Sequence, residues 1–349
     1  MKLSGAMAGN IAKAIDPDDV LTVLGITTEI ATRKGRFNAV DHVSFTLRRG
    51  EILALVGESG SGKSVTCHSI MQLIEKPAAI RGGRALFRRR DGTLIDLLTE
   101  REATLRKLRG NEFALIPQDP MSSLNPVLTI GAQLREVAQR HLNFSMLAAT
   151  ELSIELLRKV GISDPQLRLG QYPHQLSGGM RQRVMIGIAL VCKPILLIAD
   201  EATTALDVTI QAQILDLIRD MRAGATNMTV LMITHDMGVV AEMANRVIVM
   251  YAGRIVEAGP VDRVLHTPLH PYTRGLLNSV PHSSEIGVPK RRITPIPGMA
   301  PAPYDRPHGC SFAPRCSFAK RDCTEAEPVL EDLSNHSQIR CIRWKELCL

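Results

Sequence analysis

The stretch Gly57-Glu58-Ser59-Gly60-Ser61-Gly62-Lys63-Ser64 constrains this chain more than any other. An apolar run, Ile52-Leu53-Ala54-Leu55-Val56, precedes it and reads as a buried strand. Val65 to Ile74 follows and continues as a helix. Strand, glycine loop and helix are the context in which a phosphate-binding loop works. Its glycines let backbone N–H groups converge on phosphate oxygens with no Cβ in the way. A helix starting at the end of the loop adds its positive dipole end. In such a loop Lys63 reaches the β- and γ-phosphates and the Ser64 hydroxyl binds Mg²⁺.

Other strand ends carry chemistry that suits a bound nucleotide. Ile195-Leu196-Leu197-Ile198-Ala199 is a fully apolar strand followed by Asp200-Glu201. A carboxylate at that strand end suits the Mg²⁺ shell, and Glu201 can accept a proton from water. Phe113-Ala114-Leu115-Ile116 ends at Pro117-Gln118-Asp119-Pro120. Gln118 can sit at Mg²⁺ or at the attacking water, or belong to a plain surface turn. The two prolines exclude a continued helix. Val230-Leu231-Met232-Ile233 ends at Thr234-His235-Asp236. A lone histidine is usually structural, but at this strand end His235 can hydrogen-bond a γ-phosphate.

Residues 129–160 have apolar positions at helical spacing, among them Ile154, Leu157 and Val160, and read as a helical insert. It leads to Leu176-Ser177-Gly178-Gly179-Met180-Arg181-Gln182-Arg183. Ser177 is a plausible N-cap, and the two glycines leave backbone N–H groups open to a second anion. Two anion sites in one chain need an explanation. Thr203 to Asp207 forms a polar turn before a helix from Ile210 to Arg222. Buried strands alternating with helices argue for an α/β sheet, with its ligand at the carboxyl ends of the strands.

Flanking regions are less informative. Residues 1–20 read as a frayed lead-in, then Val20–Ile26 and Val40–Leu47 alternate like strands. Phe37, in the turn region between these strands, can stack on an adenine ring or serve the core. Residues 81–112 suggest a hairpin and a polar helix. Arg88-Arg89-Arg90 reads better as a solvated strand end than as a nucleic-acid patch, because nothing aromatic interleaves with it. Val247–Met250 and Arg254–Val256 form a hairpin around Ala252-Gly253.

Composition narrows the classes. At 349 residues the chain holds two or more units, and its 45% hydrophobic and 22% charged content is that of a soluble protein. Aromatic content of 3% disfavours base stacking, and a net charge of +7 is too scattered to choose between a membrane surface and nucleic acid. No apolar run reaches the roughly 20 residues of a membrane span, and no signal-peptide core is present, so a cytoplasmic protein is expected.

From Thr267 onward, prolines such as Pro268, Pro271, Pro281, Pro289 and Pro295 make long helices unfavourable. Five of the seven cysteines fall between Cys310 and Cys348. Clustering in a cytoplasmic chain suggests metal or cluster ligation by Cys310, Cys316, Cys323 and Cys341, with free thiols as the alternative. Four thiolates hold Zn²⁺ or an iron–sulfur cluster, and the spacing is wider than in common zinc ribbons.

These motifs, in this order, resemble an ATP-binding cassette (ABC) ATPase over nearly the whole length. Gly57 to Ser64 is similar to Walker A, Gln118 to the Q-loop, and Leu176 to Met180 to the family's signature motif. Ile195 to Asp200 is similar to Walker B, Glu201 to the catalytic glutamate, Leu206-Asp207 to the D-loop and His235 to the switch histidine. Within the family the chain resembles the ATPase subunits of oligopeptide and dipeptide importers. The stretches that carry this are Pro117 to Pro126, Thr203 to Gln213, His270-Pro271-Tyr272-Thr273 and the tail from Pro297 to Pro328. Ala202 stands where the family has a proline, and the usual adenine-stacking tyrosine is absent, leaving Phe37 as the candidate.

The resemblance implies an α/β fold: a P-loop NTPase (RecA-like) core with an antiparallel β subdomain, an α-helical signature subdomain and a Cys-containing C-terminal extension. It implies a lead-in over 1–19, an ATPase domain over 20–265 with its helical subdomain at about 119–185, and the extension over 266–349. ATP contacts are implied for Gly57, Glu58, Ser59, Gly60, Ser61, Gly62, Lys63, Ser64 and Val65. Ser64, Gln118 and Asp200 are implied at Mg²⁺, Glu201 at the water and His235 at the γ-phosphate. Two cassettes meet head to tail, so Ser177, Gly178 and Gly179 face the partner's ATP, which accounts for the second anion site, and the D-loop residue Asp207 is implied at the nucleotide. In that subfamily the tail cysteines are associated with a [4Fe–4S] cluster. Expected partners are a second ATPase subunit, two transmembrane permease subunits and a solute-binding protein, at the cytoplasmic face of the inner membrane. Peptide is the expected cargo, with nickel or a glycoside as alternatives. A soluble cassette acting on nucleic acid or the ribosome is disfavoured by the single cassette and the missing heptad run.

Overall fold

The computed structural model describes residues 15–119, 123–202, 207–223, 227–279, 295–334 and 336–347. Most of the expected lead-in, Pro120 to Ser122, Thr203 to Leu206 and Cys348 lie outside the described residues.

The chain opens with two long strands, β1 (Asp19–Thr32) and β2 (Gly35–Arg48), then the apolar β3 (Ile52–Val56) and helix α1 (Lys63–Ile70). Helix α1 is shorter than its sequence suggests. Gln72 takes a left-handed backbone (φ 51°) just past the cap residue Met71, and that conformation closes a helix. Strands β4 (Ala78–Arg88) and β5 (Leu94–Asp96) form the expected hairpin, pairing antiparallel from Leu86↔Asp96 to Arg88↔Leu94. Helix α2 (Glu102–Leu108) and strand β6 (Phe113–Ile116) follow.

The helical insert comprises α3 (Ile130–Leu142), α4 (Met146–Lys159), the short α5 (Pro165–Leu169) and α6 (Gly178–Leu190). Thr129, Ser145 and Ser177 each accept a backbone N–H in the first turn of the helix they precede, so three of these starts are written in hydroxyl side chains. Then come β7 (Leu196–Asp200), α7 (Val208–Ala223), β8 (Thr229–Ile233), α8 (Met237–Met243), β9 (Arg246–Tyr251) and β10 (Arg254–Pro260). The last stretch holds α9 (Val261–His266), α10 (Pro271–Asn278), α11 (Asp322–Glu325), β11 (Glu331–Leu333), β12 (Ser337–Ile339) and α12 (Trp344–Leu347).

Two compact units divide these elements. One takes the residues up to Thr22, Phe45–Ile52 and Arg84–Ile233. In it β6, β7 and β8 run parallel, with Phe113↔Leu196 and Leu196↔Thr229 in register. Strands β7 and β8 are buried along their whole length, as their apolar runs Leu196–Ala199 and Val230–Ile233 demand.

The other unit takes Val23–Ser44, Leu53–Gly83 and the chain from Thr234 on. There β3 pairs parallel with β9, β9 antiparallel with β10, β10 with β12 and β12 with β11. The β9–β10 turn has positive φ at both Ala252 (47°) and Gly253 (81°), the conformation a two-residue hairpin needs. Ala54 and Val56 of β3 share one core with Val249, Tyr251, Tyr272 and Phe312, so the cysteine-bearing tail and the strand before the glycine loop are packed together.

A buried polar relay fixes the start of α10. Glu257, fully buried on β10, accepts the N–H groups of Leu269 and His270 at 2.9 Å each and pairs with Arg263 at 3.0 Å. His270 Nδ1 in turn accepts the Tyr272 N–H at 3.0 Å. Burial pushes the His270 pKa down from 6.5 to about 3. The unfolded chain therefore binds the proton more readily than the folded one. The neutral ring's contribution to stability is complete above the unfolded value and is lost as pH falls toward the folded one. Between pH 7 and pH 5 this single group is expected to remove about 2 kcal/mol. Urea unfolding at the two pH values checks this: His270→Asn, which keeps a capping acceptor, should lose distinctly less stability than the wild type.

Candidate nucleotide site

In the unit that contains β3 and β9, residues 57–62 loop from the end of β3 into α1. The glycines are required by space as well as by backbone. A Cβ on Gly57 (φ 149°) would lie 2.3 Å from the Met250 carbonyl oxygen, and one on Gly62 (φ 101°) 2.5 Å from that of Ala39. Lys63 is 6% exposed, and its Nζ donates to the carbonyls of Gly57 at 2.7 Å and Glu58 at 2.9 Å. The ammonium is thus already at the mouth of the loop, held by carbonyls that a phosphate can replace. Ser61 is tied to the β9–β10 turn through the Gly253 N–H at 2.9 Å.

Beside the loop lies a cavity of about 250 Å³ lined by Ile30, Phe37, Ala39, Val65, the loop itself and Ala300, Pro301, Pro303 and Arg306. Phe37 is on its wall, where an adenine ring can meet it, and its other neighbour is Tyr304, edge-on at 5.7 Å between centroids. Arg306 holds this part of the tail in place, donating to the Asn38 carbonyl and pairing with Asp41 at 3.4 Å. Nothing in the sequence pattern singled out Tyr304 or Arg306, since both sit in a proline-rich stretch without periodicity. His235 belongs to the same unit and is exposed at the end of β8, one residue before Asp236, which caps α8.

The remaining expected residues belong to the other unit. Asp200 ends β7 and is 2% exposed. Glu201 follows with a left-handed backbone (φ 49°), a conformation costing about 1–3 kcal/mol in a non-glycine residue and typical of functional sites. Its N–H is held by the Ile233 carbonyl at 3.0 Å, and its Oε2 accepts from Gln118 Nε2 at 2.9 Å. Two residues chosen from separate strand ends therefore meet. Gln182 Nε2 donates to the Ala202 carbonyl, anchoring the segment after Glu201 to α6. At the start of α6, Ser177 Oγ accepts the Met180 N–H at 3.3 Å, while Ser177 and Gly178 are exposed and Gly178 has open space where a Cβ would point. The Asp207 carboxylate accepts the Ile210 N–H at 3.0 Å.

The four expected thiols are neighbours but not a closed ligand set. Cys310 N–H donates to the Cys323 carbonyl at 2.8 Å. Burial, with the charges of the other thiols adding to it, pushes Cys310 and Cys316 up and Cys341 up to about 11. Among the described residues no three His, Cys, Asp or Glu side chains are gathered closely enough to hold a metal ion. The expected four-sulfur shell is therefore not assembled here. Protonated thiols exert no pull on one another, and burial favours that form.

Residues 40–204 match the family model described as ABC transporter, and residues 256–323 that described as Oligopeptide/dipeptide transporter, C-terminal region. A Brucella melitensis protein named as a peptide import ATP-binding protein is 51% identical over 332 residues, 94% of this chain and 98% of its own. The dipeptide transport ATP-binding protein DppD of Escherichia coli is 45% identical over 322 residues, 92% of this chain and 96% of its own. A solved ATP binding subunit of an ABC transporter is similar with a TM-score of 0.57 at 27% identity, over 71% of this chain and 92% of that one. The dimeric ATP-binding cassette MJ0796, bound to ADP and Pi, is similar in fold with a TM-score of 0.61 at 23% identity, over 69% of this chain and 98% of its own.

Proposed function

The chain belongs to the ATP-binding cassette family of transporter ATPases, and from that membership we propose that it is the ATP-hydrolysing subunit of an importer of di- or oligopeptides. The observation that carries the cargo class is the tail: residues 256–323 match the oligopeptide/dipeptide transporter C-terminal region, and this stretch shares a core with the strand that feeds the phosphate loop.

In this reading Lys63 and the amides of residues 57–65 hold the phosphates. Ser64, Gln118 and Asp200 take Mg²⁺, whose charge neutralises the β- and γ-oxygens. Glu201 polarises the attacking water and His235 orients it against the γ-phosphate. Phe37 meets the adenine. Ser177, Gly178, Gly179 and Asp207 serve the ATP of a second cassette, and the exposure of Ser177, Gly178 and Asp207 supports that role. Catalysis is positioning plus electrostatic stabilisation.

No helix among the described residues is long and apolar enough to cross a membrane. The spanning part is assigned to two separate permease subunits, with a paralogous second ATPase and a solute-binding protein completing the machine. This chain sits peripherally on the cytoplasmic face of the inner membrane. For the tail thiols an iron–sulfur centre has the donor chemistry of Cys310, Cys316, Cys323 and Cys341 in its favour, and the lack of a metal-holding group among the described residues against it. Iron and sulfide analysis of an anaerobic preparation decides between that centre, zinc and free thiols.

The test of the function is reconstitution in vesicles with the cognate permeases and binding protein. Mg²⁺-dependent hydrolysis should rise when the binding protein is loaded with peptide, and labelled peptide should accumulate inside. Stimulation by nickel or a glycoside alone would reassign the cargo. Co-purification with nucleic acid instead of permeases would remove the transport reading.

A further inference from the structure

The tail reaches one particular residue of the phosphate loop from two directions. Glu58 follows the loop's first glycine, at a position whose type the loop pattern leaves open. Its backbone N–H donates to the Tyr272 hydroxyl at 2.7 Å. Its carboxylate takes both arms of Arg315, Nη1 to Oε2 at 2.6 Å and Nη2 to Oε1 at 2.9 Å. Arg315 is itself fixed. Its Nε donates to the Pro297 carbonyl at 2.9 Å, Nη1 to the Tyr251 hydroxyl at 3.3 Å, and the guanidinium lies 5.8 Å from the Tyr251 ring centroid and 5.9 Å from that of Phe312. Only 5% of its side chain is exposed, against 30% of that of Glu58, so the guanidinium is shielded from water while the carboxylate keeps some contact with it. Cys316 is the next residue, and Cys310 and Cys316 both pack against the core that contains Tyr251, Tyr272 and Phe312.

We infer that Arg315 is a positioning residue for the phosphate loop, through which the cysteine-bearing tail and the nucleotide govern each other's binding and order. This rests on the reading that the loop binds ATP. The loop's opening turn has two sets of anchors. One is Lys63, on the carbonyls of Gly57 and Glu58. A phosphate that takes the lysine removes that anchor. What then holds Glu58, besides the Ser61 N–H on its carbonyl within the loop, is Tyr272 and Arg315, both from the tail. With the guanidinium fork gone, part of the binding free energy goes into ordering the loop, and affinity falls. Linkage makes the effect mutual: if the tail's order favours nucleotide, nucleotide favours the tail's order by the same factor. An ion pair serving the fold alone would lower the melting temperature without tying affinity to Glu58.

The experiment uses the full chain, Mg²⁺ and a non-hydrolysable ATP analogue. Arg315→Gln should weaken binding about tenfold, and Arg315→Lys should recover part of the loss because an ammonium cannot fork. Glu58→Gln should weaken binding similarly, and the double variant no further. With ATP, KM should rise more than kcat falls. The analogue should slow amide hydrogen exchange over residues 310–316 about fivefold in the wild type and leave Arg315→Gln unchanged. Should Arg315→Gln fail to fold, Arg315→Lys and Glu58→Gln carry the test. Wild-type affinity in these folded variants, or additive losses in the double variant, overturns the inference. A wild-type protein that binds no nucleotide overturns the ATP reading itself, and this inference with it.

Discussion

Glu201→Gln binds ATP like the wild type and loses hydrolysis by about 10²–10⁴-fold, the usual worth of a positioned general base. Every polar contact described for Glu201 can survive the exchange except one role. The glutamine keeps the volume, can keep the backbone bond to Ile233 and can still accept from Gln118. It cannot take a proton from water. The left-handed backbone at this position makes the same point, because a strained residue persists only where its surroundings impose it. Phosphate release measured beside nucleotide binding separates the two steps. Turnover at the wild-type rate in Glu201→Gln would strip the residue of its role.

Lys63→Met is the complementary loss, expected to abolish tight nucleotide binding. A charged donor to phosphate is worth about 1.5–3 kcal/mol per hydrogen bond, and in the proposed role Lys63 reaches both the β- and γ-phosphates, so losing it weakens affinity by about 10²-fold or more. Methionine fills much of the same buried volume, but it leaves the Gly57 and Glu58 carbonyls without the donor they have now. A modest fall in melting temperature should accompany the lost affinity. Calorimetric titration with Mg²⁺–ATP checks the first effect and thermal unfolding the second. The two variants should therefore split cleanly: one binds and does not cut, the other does not bind. Wild-type affinity in Lys63→Met would move the phosphates away from this loop.

The strand ends were legible because chemistry and hydrophobicity coincide there. Ile195 to Ala199 can only be a buried strand, and the carboxylates directly after it have only one end of that strand to occupy. Ser177 as a cap was legible for the same local reason. What stayed hidden is what depends on distant partners. Arg315 is 257 residues from Glu58 and Tyr272 is 214 from it, and nothing local to either marks the contact. Glu257 looks like a surface charge in a mostly apolar strand and is buried, because the amides of Leu269 and His270 and the Arg263 guanidinium satisfy it. The early end of α1 depends on Gln72, a residue type that does not advertise a left-handed turn. Cysteine spacing suggested a closed set of sulfurs, yet spacing along a chain does not fix geometry in space, and among the described residues the neighbouring thiols do not form a metal-holding group.

The bare start of α6 bears on how such a chain behaves in excess. If each catalytic centre needs the loop of one cassette and the serine–glycine corner of another, a solitary chain is half of two machines and whole in neither. Turnover in dilute solution then grows with the product of the two cassettes' concentrations, and surplus chains stay idle with no inhibitor required. Stoichiometry alone keeps unassembled protein from draining the cell's nucleotide pool.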